Sequence, residues 1–224
     1  MKVLSIEVAR ATQFVLRDEV SPPGGNYLPE AFRLVTERYG FAIQPSFQDM
    51  ATVGAKFQQG RLIAGSKKIN VIELGFFNDG IAAATLTDTD DADFVIDDAM
   101  TWAQHALRFR APVTKLPRWY SSGVVIQFND GAVGQIVSVL EKTKRLFDAQ
   151  LKDLYPWTFN STFARIGLGS DPAAYPQHFK SEFFIERRIN VPYENGMFFS
   201  SAPLKTTAHI ALLESFEREA EEIG

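Results

Sequence analysis

The sequence predicts an α+β fold in which a β-α-β-β-β-α unit occurs twice, giving about eight strands and four helices with pseudo-twofold symmetry. Three observations carry that reading. Apolar residues alternate with a period of two in short segments and recur at helical spacing in longer ones. The order strand, helix, three strands, helix precedes a proline-containing stretch at 110–120 and follows it again. Sliding the chain by 116 positions sets Gly80 on Gly196, Ile81 on Met197, Asp90 on Thr206 and Ala92 on Ala208, without a gap from Ile69/Ile185 to Ala99/Ser215. The halves are placed at 1–112 and 113–224 and read as one domain with a shared core.

The first strand covers residues 2–18, where Leu4, Ile6 and Val8 alternate with Ser5 and Glu7. It is either one long strand or a hairpin. Ser21-Pro22-Pro23-Gly24-Gly25-Asn26 breaks it. A short helix starts near Pro29, with Ala31, Phe32, Val35 and Tyr39 on one face and Gly40 closing it. Residues 41–54 carry no clear pattern. Strands are expected at Lys56–Ala64, Ile69–Phe77 and Ile81–Thr87, the last two joined by Asn78-Asp79-Gly80. A helix over Ala92–Phe109 turns Val95, Ile96, Ala99, Met100, Ala103 and Leu107 inward.

After a connector from Arg110 to Tyr120, strand Ser121–Phe128 leads into a long helix of about 132–154. That helix has Ile136, Leu140, Phe147, Leu151 and Leu154 on one stripe. Strands Thr162–Leu168, Glu182–Val191 and Met197–Ala202 follow, then a helix over Thr207–Ile223.

Composition narrows the function classes. The 224 residues are 46% hydrophobic and 22% charged, as in ordinary globular proteins, and 19 of them are phenylalanine, which predicts an aromatic core. No cysteine is present, which excludes disulfides, thiolate metal sites and cysteine nucleophiles. Glu7 and Arg10 interrupt the N-terminal apolar run early, and no run is long enough to span a bilayer, so the expectation is a cytoplasmic chain without a membrane partner. Net charge is −4 and neither half is basic, which disfavours nucleic-acid binding.

The conspicuous polar run is Asp88-Thr89-Asp90-Asp91-Ala92-Asp93. Read as a calcium loop it fails, because Asp93 stands where Gly is needed and Ala99 where Glu is needed. The better reading is a helix cap at Asp90 or Asp91, matched by Thr206 and Thr207 in the second unit, with no metal. Gly60–Lys67 nearly spells a phosphate-binding loop, but a strand follows it rather than a helix. His105, His178 and His209 match no catalytic motif, so no catalytic residue and no cofactor are assigned.

Arg108, Arg110, Lys115, Arg118, Trp119 and Tyr120 interleave basic and aromatic residues across the connector, a pattern suited to holding a ligand or partner. Strand Glu182–Val191 carries Arg187 and Arg188 among apolar residues. Its counterpart reads as apolar on both faces, with Ile69, Val71 and Phe77 beside Glu73 on one, and Ile72, Leu74 and Phe76 on the other. A strand apolar on both faces must be covered on both. Pairing of Glu73 with Arg187 near the pseudo-twofold axis would accommodate the two charges.

The leading functional expectation is therefore a non-catalytic binding or assembly protein that pairs with itself or a protein partner through a sheet face or edge. The alternative is a small-molecule or nucleotide-binding domain, hydrolytic in one version, with a pocket between the halves. Arg108, Arg110, Arg118, Trp119, Tyr120, Arg187 and Arg188 are the candidate contact residues in either case.

Overall fold

A computed structural model describes residues 1–25, 27–46, 54–114, 116–129, 135, 144–152, 164–169, 182–192 and 195–222. The described strands are β1 (Lys2–Phe14), β2 (Ala55–Ala64), β3 (Lys67–Phe77), β4 (Gly80–Thr85), β5 (Arg118–Gln127), β6 (Arg165–Leu168), β7 (Phe183–Arg187) and β8 (Met197–Ala202). The helices are α1 (Arg17–Val20), α2 (Leu28–Tyr39), α3 (Thr89–Ala106), α4 over 144–152 and α5 (Thr206–Glu222). The fold is mixed α+β, with eight antiparallel strands in one sheet of order β2-β3-β4-β1-β5-β8-β7-β6. The chain packs as two compact units, Ile6–Ser122 with Leu204–Thr206, and Met1–Ser5 with Gly123–Pro203 and Thr207–Gly224.

In the first of these units, β2, β3, β4 and β1 pair in antiparallel register, and helices cover one face. β1 is a single strand that stops at Phe14. Gly40 closes α2 in the left-handed conformation at φ 61°, donating its N–H to Thr36 O. Tyr39 carries the helix into the next layer, its hydroxyl donating to Asp98 on α3 at 2.7 Å. Burial pushes the Tyr39 phenol pKa up, and the Asp98 carboxylate adds to the shift.

β3 is not apolar on both faces. Its pairing with β4 shifts by one residue between Val71 and Glu73, a β-bulge. The bulge reverses side-chain parity, so Ile69, Val71, Leu74 and Phe76 all pack into the helix-covered core. Glu73, Gly75 and Phe77 then share the opposite face, where the Phe77 ring lies over Gly75. Arg10 pairs with Ala84, which pairs with Glu73, and the short Ala84 side chain lets Arg10 Nη2 reach Glu73 Oε1 at 2.8 Å. Glu73 thus takes Arg10 as its partner rather than the expected Arg187.

α3 begins at Thr89, three residues before the expected start, and its N-cap is Asp88 rather than Asp90 or Asp91. The Asp88 side chain accepts from Asp91 N–H at 2.6 Å, and Thr85 Oγ1 donates to Asp88 O at 3.0 Å. Asp90 is taken up by Lys205, and Asp91 by Lys67 and Thr87. Burial alone would raise the Asp91 carboxyl, but the Lys67 and Thr87 hydrogen bonds and the Lys67 charge outweigh it and hold the pKa below the ordinary value. Asp88→Ala should destabilise by about 1 kcal/mol in urea denaturation, and Asp88→Asn by less, since Asn also caps. A larger loss from Asp90→Ala would move the cap back to the expected position.

Thr206, expected as a cap of its own helix, does more. Its hydroxyl accepts from Thr89 N–H at 3.2 Å while its own N–H donates to Thr89 Oγ1 at 3.0 Å, so each threonine caps the other's backbone. Both side chains are buried.

In the other unit, β6 pairs β7 and β7 pairs β8. β7 ends at Arg187, four residues before the expected limit, and Ile189 beyond it is 82% exposed. Asn190 turns the chain there at φ 64°, which an Asn tolerates better than most residues. β8 agrees with its expected limits. Phe198 packs against Phe128, which also meets Phe216 on α5. The Met1 ammonium pairs with the buried Glu217 carboxylate, which also accepts from Asn129 N–H at 2.8 Å. Of the long-helix stripe, Ile136, Leu140 and Leu154 lie outside the described residues. Phe147 is 51% exposed and so is not an inward residue.

Candidate functional site: an apolar cavity

α2 and α3 cover the same face of β2, β3 and β4. Where their facing residues are small, the side chains are too short to meet. Ala31 on α2, Ala99 and Ala103 on α3 and Gly80 on β4 all line the resulting cavity, whose volume is about 460 Å³. Its remaining wall is mainly aromatic and aliphatic: Leu28 and Phe32, Phe57 and Phe76, Ile81, Met100, Leu107 and Phe109. Ser21, Asn78, Gln104 and Arg110 are the polar side chains among the lining residues. A space of this size with a few polar groups in an apolar wall is the usual form of a small-molecule site, for which about 300–1,000 Å³ is typical.

The segment after α3 is held in place at this end of the unit. Phe109 N–H donates to Ala103 O at 3.2 Å, and Arg110 N–H to Val20 O at 2.9 Å. The Arg110 guanidinium donates from Nε to Ser21 O at 3.1 Å and from Nη2 to Asp18 O at 2.6 Å. Glu19 accepts from Val113 N–H, Thr114 N–H and Thr114 Oγ1, and the Thr114 hydroxyl is the main reason its carboxyl stays below the ordinary pKa. The stretch read as a connector is thereby latched to α1.

The other sequence-predicted residues lie elsewhere. Arg108 is exposed, at φ 56° just past α3. Arg118, Trp119 and Tyr120 belong to strand β5 rather than to a linker. Strand alternation puts Arg118 and Tyr120 toward α3 and Trp119 on the opposite face, edge-on to Phe14 at 4.6 Å. Arg118 donates to Gln13 Oε1 at 3.0 Å, to Asp93 at 3.0 Å and to Asp97. Tyr120 donates to Asp93 at 3.1 Å, and Lys205 reaches the same carboxylate at 3.2 Å. Burial would lower the Arg118 pKa, but Asp97 and Asp93 outweigh it and raise it. The Tyr120 phenol is pushed up by burial and then by the Asp93 charge. Arg118 and Tyr120 are thus engaged by acidic residues of α3. Lys115 lies outside the described residues.

Arg187 and Arg188 fall in the other unit. The Arg187 guanidinium stacks over Phe198 at 5.0 Å, and Arg188 N–H donates to Met197 O at 3.1 Å. The seven expected contact residues, five basic and two aromatic, therefore separate into distinct environments, and only Arg110 of them lines the cavity. The cavity's apolar wall went unrecognised because its residues are those of any core. The one available signal was the run of small residues at inward helical positions, Ala99 and Ala103.

A serine–histidine pair also escaped the sequence reading. Ser200 Oγ and His209 Nε2 are 2.9 Å apart and both residues are fully buried. The Ser200 hydroxyl has one proton, which it donates to Phe184 O at 2.7 Å, so His209 Nε2–H must be the donor to Oγ. A base activating a serine has to accept that proton. The pair instead ties α5 to β8 and β7. His178 lies outside the described residues. Among the described residues no cluster of His, Asp and Glu has a metal-binding arrangement, and no helix is long and apolar enough to cross a membrane. No protein-family model matches the chain, and no curated protein matches it either.

Proposed function

We propose that this chain is a non-catalytic binding protein whose cavity takes an apolar small molecule. The observation that carries the reading is the space of about 460 Å³ walled by Phe32, Phe57, Phe76, Met100, Leu107 and Phe109. It revises the expectation of a pocket between the halves, since all its lining residues belong to the Ile6–Ser122 unit. The wall offers no activated nucleophile, which favours binding over hydrolysis. Titration with the neutral fluorophore N-phenyl-1-naphthylamine tests it. One saturable site is expected, and Ala31→Trp, which puts an indole into the cavity, should weaken binding about tenfold or more while the melting temperature holds or rises. Several weak sites indifferent to Ala31→Trp would overturn the reading.

Assembly with a second copy or a protein partner is the second proposal. It is supported by the two strands that end the sheet order, where Ile63 on β2 is 62% exposed and Leu168 on β6 is 67% exposed. A concentration-dependent mass in solution would favour it. A cytoplasmic setting is in keeping with the absence of cysteine.

An origin by internal duplication belongs with these proposals. The mutual caps at Thr89 and Thr206, 117 positions apart, support it. β4 and β8, six residues each, start at the same displacement, one residue from the 116 read in the sequence.

A further inference from the structure

We infer, resting on the cavity-binding reading above, that the ligand is an anionic amphiphile whose carboxylate or similar acidic head is held by Arg110 while its apolar body occupies the cavity. Arg110 lines the cavity, yet among the described residues it has no carboxylate partner, and its bonds go to the neutral carbonyls of Ser21 and Asp18. Four other cations of this unit are matched by acids, Arg10 by Glu73, Arg38 by Asp98, Lys67 by Asp91, and Arg118 by Asp93 and Asp97, whereas Arg61 bonds to the neutral Asn70. Glu19, the residue after Asp18 whose carbonyl Arg110 holds, is instead engaged by Val113 and Thr114. A guanidinium carries five N–H donors. Two are spent on the carbonyls, which fix its plane, and three remain for an incoming group. An oriented guanidinium with open donors matches a carboxylate or phosphate head in geometry as well as in charge. Ser21, Asn78 and Gln104 supply further uncharged polar groups along the wall. The apolar body is required because aromatic and aliphatic side chains make up the rest.

Calorimetric titration of the full chain with decanoate, decanol and inorganic phosphate tests the assignment. Decanoate should bind about tenfold tighter than decanol at low salt, the preference shrinking as salt is raised, and phosphate alone should not bind measurably. Arg110→Gln should bring the decanoate-to-decanol ratio close to one, while Arg110→Lys, which keeps the charge, should retain part of it. Since Arg110 also braces Ser21 and Asp18, a second variant guards against loss of the fold. Gln104→Glu leaves Arg110 intact and should lower the same ratio through repulsion. Equal binding of the two ligands, or a preference unchanged in Arg110→Gln and Gln104→Glu, overturns the head-group assignment and leaves the cavity reading standing. Failure of both decanoate and decanol to bind overturns both.

Discussion

Phe57→Ala is expected to destabilise the protein by about 3–5 kcal/mol, the range for removing a large buried aromatic side chain. Phe57 is 1% exposed and its ring is the hub of the aromatic core. It meets Phe32 at 5.4 Å and 85°, Phe41 at 5.5 Å and Phe76 at 6.1 Å and 89°, two of the three edge-on. Edge-to-face contacts of this kind add about 0.5–1.5 kcal/mol beyond area burial. The site has little scope for collapse, because Phe57 already lines the cavity and the space it vacates would join that volume. The loss should therefore lie at the upper end of the range. Chemical denaturation at two wavelengths measures it, and benzene, which fits engineered apolar cavities, should recover part of the loss. A loss below about 1.5 kcal/mol would mean that the surrounding rings repack.

Gly80→Ala should cost about 3 kcal/mol, although it adds only one methyl group. A Cβ at this position would stand 2.5 Å from Gln13 O and 3.3 Å from Phe14 Cα, both backbone atoms of the paired strand β1. Backbone cannot rotate away as a side chain can, so β4 must separate from β1 or shift register. Gly65 offers the comparison: its φ of 60° also favours glycine, but no atom lies within 4 Å of the added Cβ. Gly65→Ala should then cost only the conformational part, about 1 kcal/mol. Melting curves for the two variants separate close approach from conformational strain. Equal losses would show that the β1–β4 pairing yields readily.

The element order was legible because long periodic segments flanked by turn residues leave few alternatives. Gly40 marked the end of α2, and the inward face of α3 was readable from Val95 onward. Local detail was not. The bulge at Ile72 has no residue signature, since Val71, Ile72, Leu74 and Phe76 are all apolar and a change of face leaves no trace in such a run. The cap was misplaced because four aspartates within six residues all suit a helix start. Only the tertiary burial of Thr89 decides for Asp88. Arg187 was paired with Glu73 on the assumption that the equivalent strands pack about a pseudo-twofold axis, but β3 pairs with β2 and β4, and β7 with β6 and β8. The candidate site was legible only through Arg110, for a cavity is a shortfall of side-chain volume between elements distant in sequence.

The bulge also limits how the chain can change length. Gln58 pairs with Glu73 and Gly60 with Val71, so Gln59, at φ 59°, stands opposite Ile72. Both strands reverse parity at that point, and the outer part of the hairpin keeps Leu62, Ile69 and Val71 on the core face only because both do. Loss of Ile72 alone would restore plain alternation in β3 while leaving Gln59 without an opposite number in β2. Loss of Gln59 and Ile72 together would leave two regular strands with every core residue still inward. Insertions and deletions in this hairpin are therefore coupled across the ladder: a change of length in one strand here keeps the core face only if the other strand changes with it.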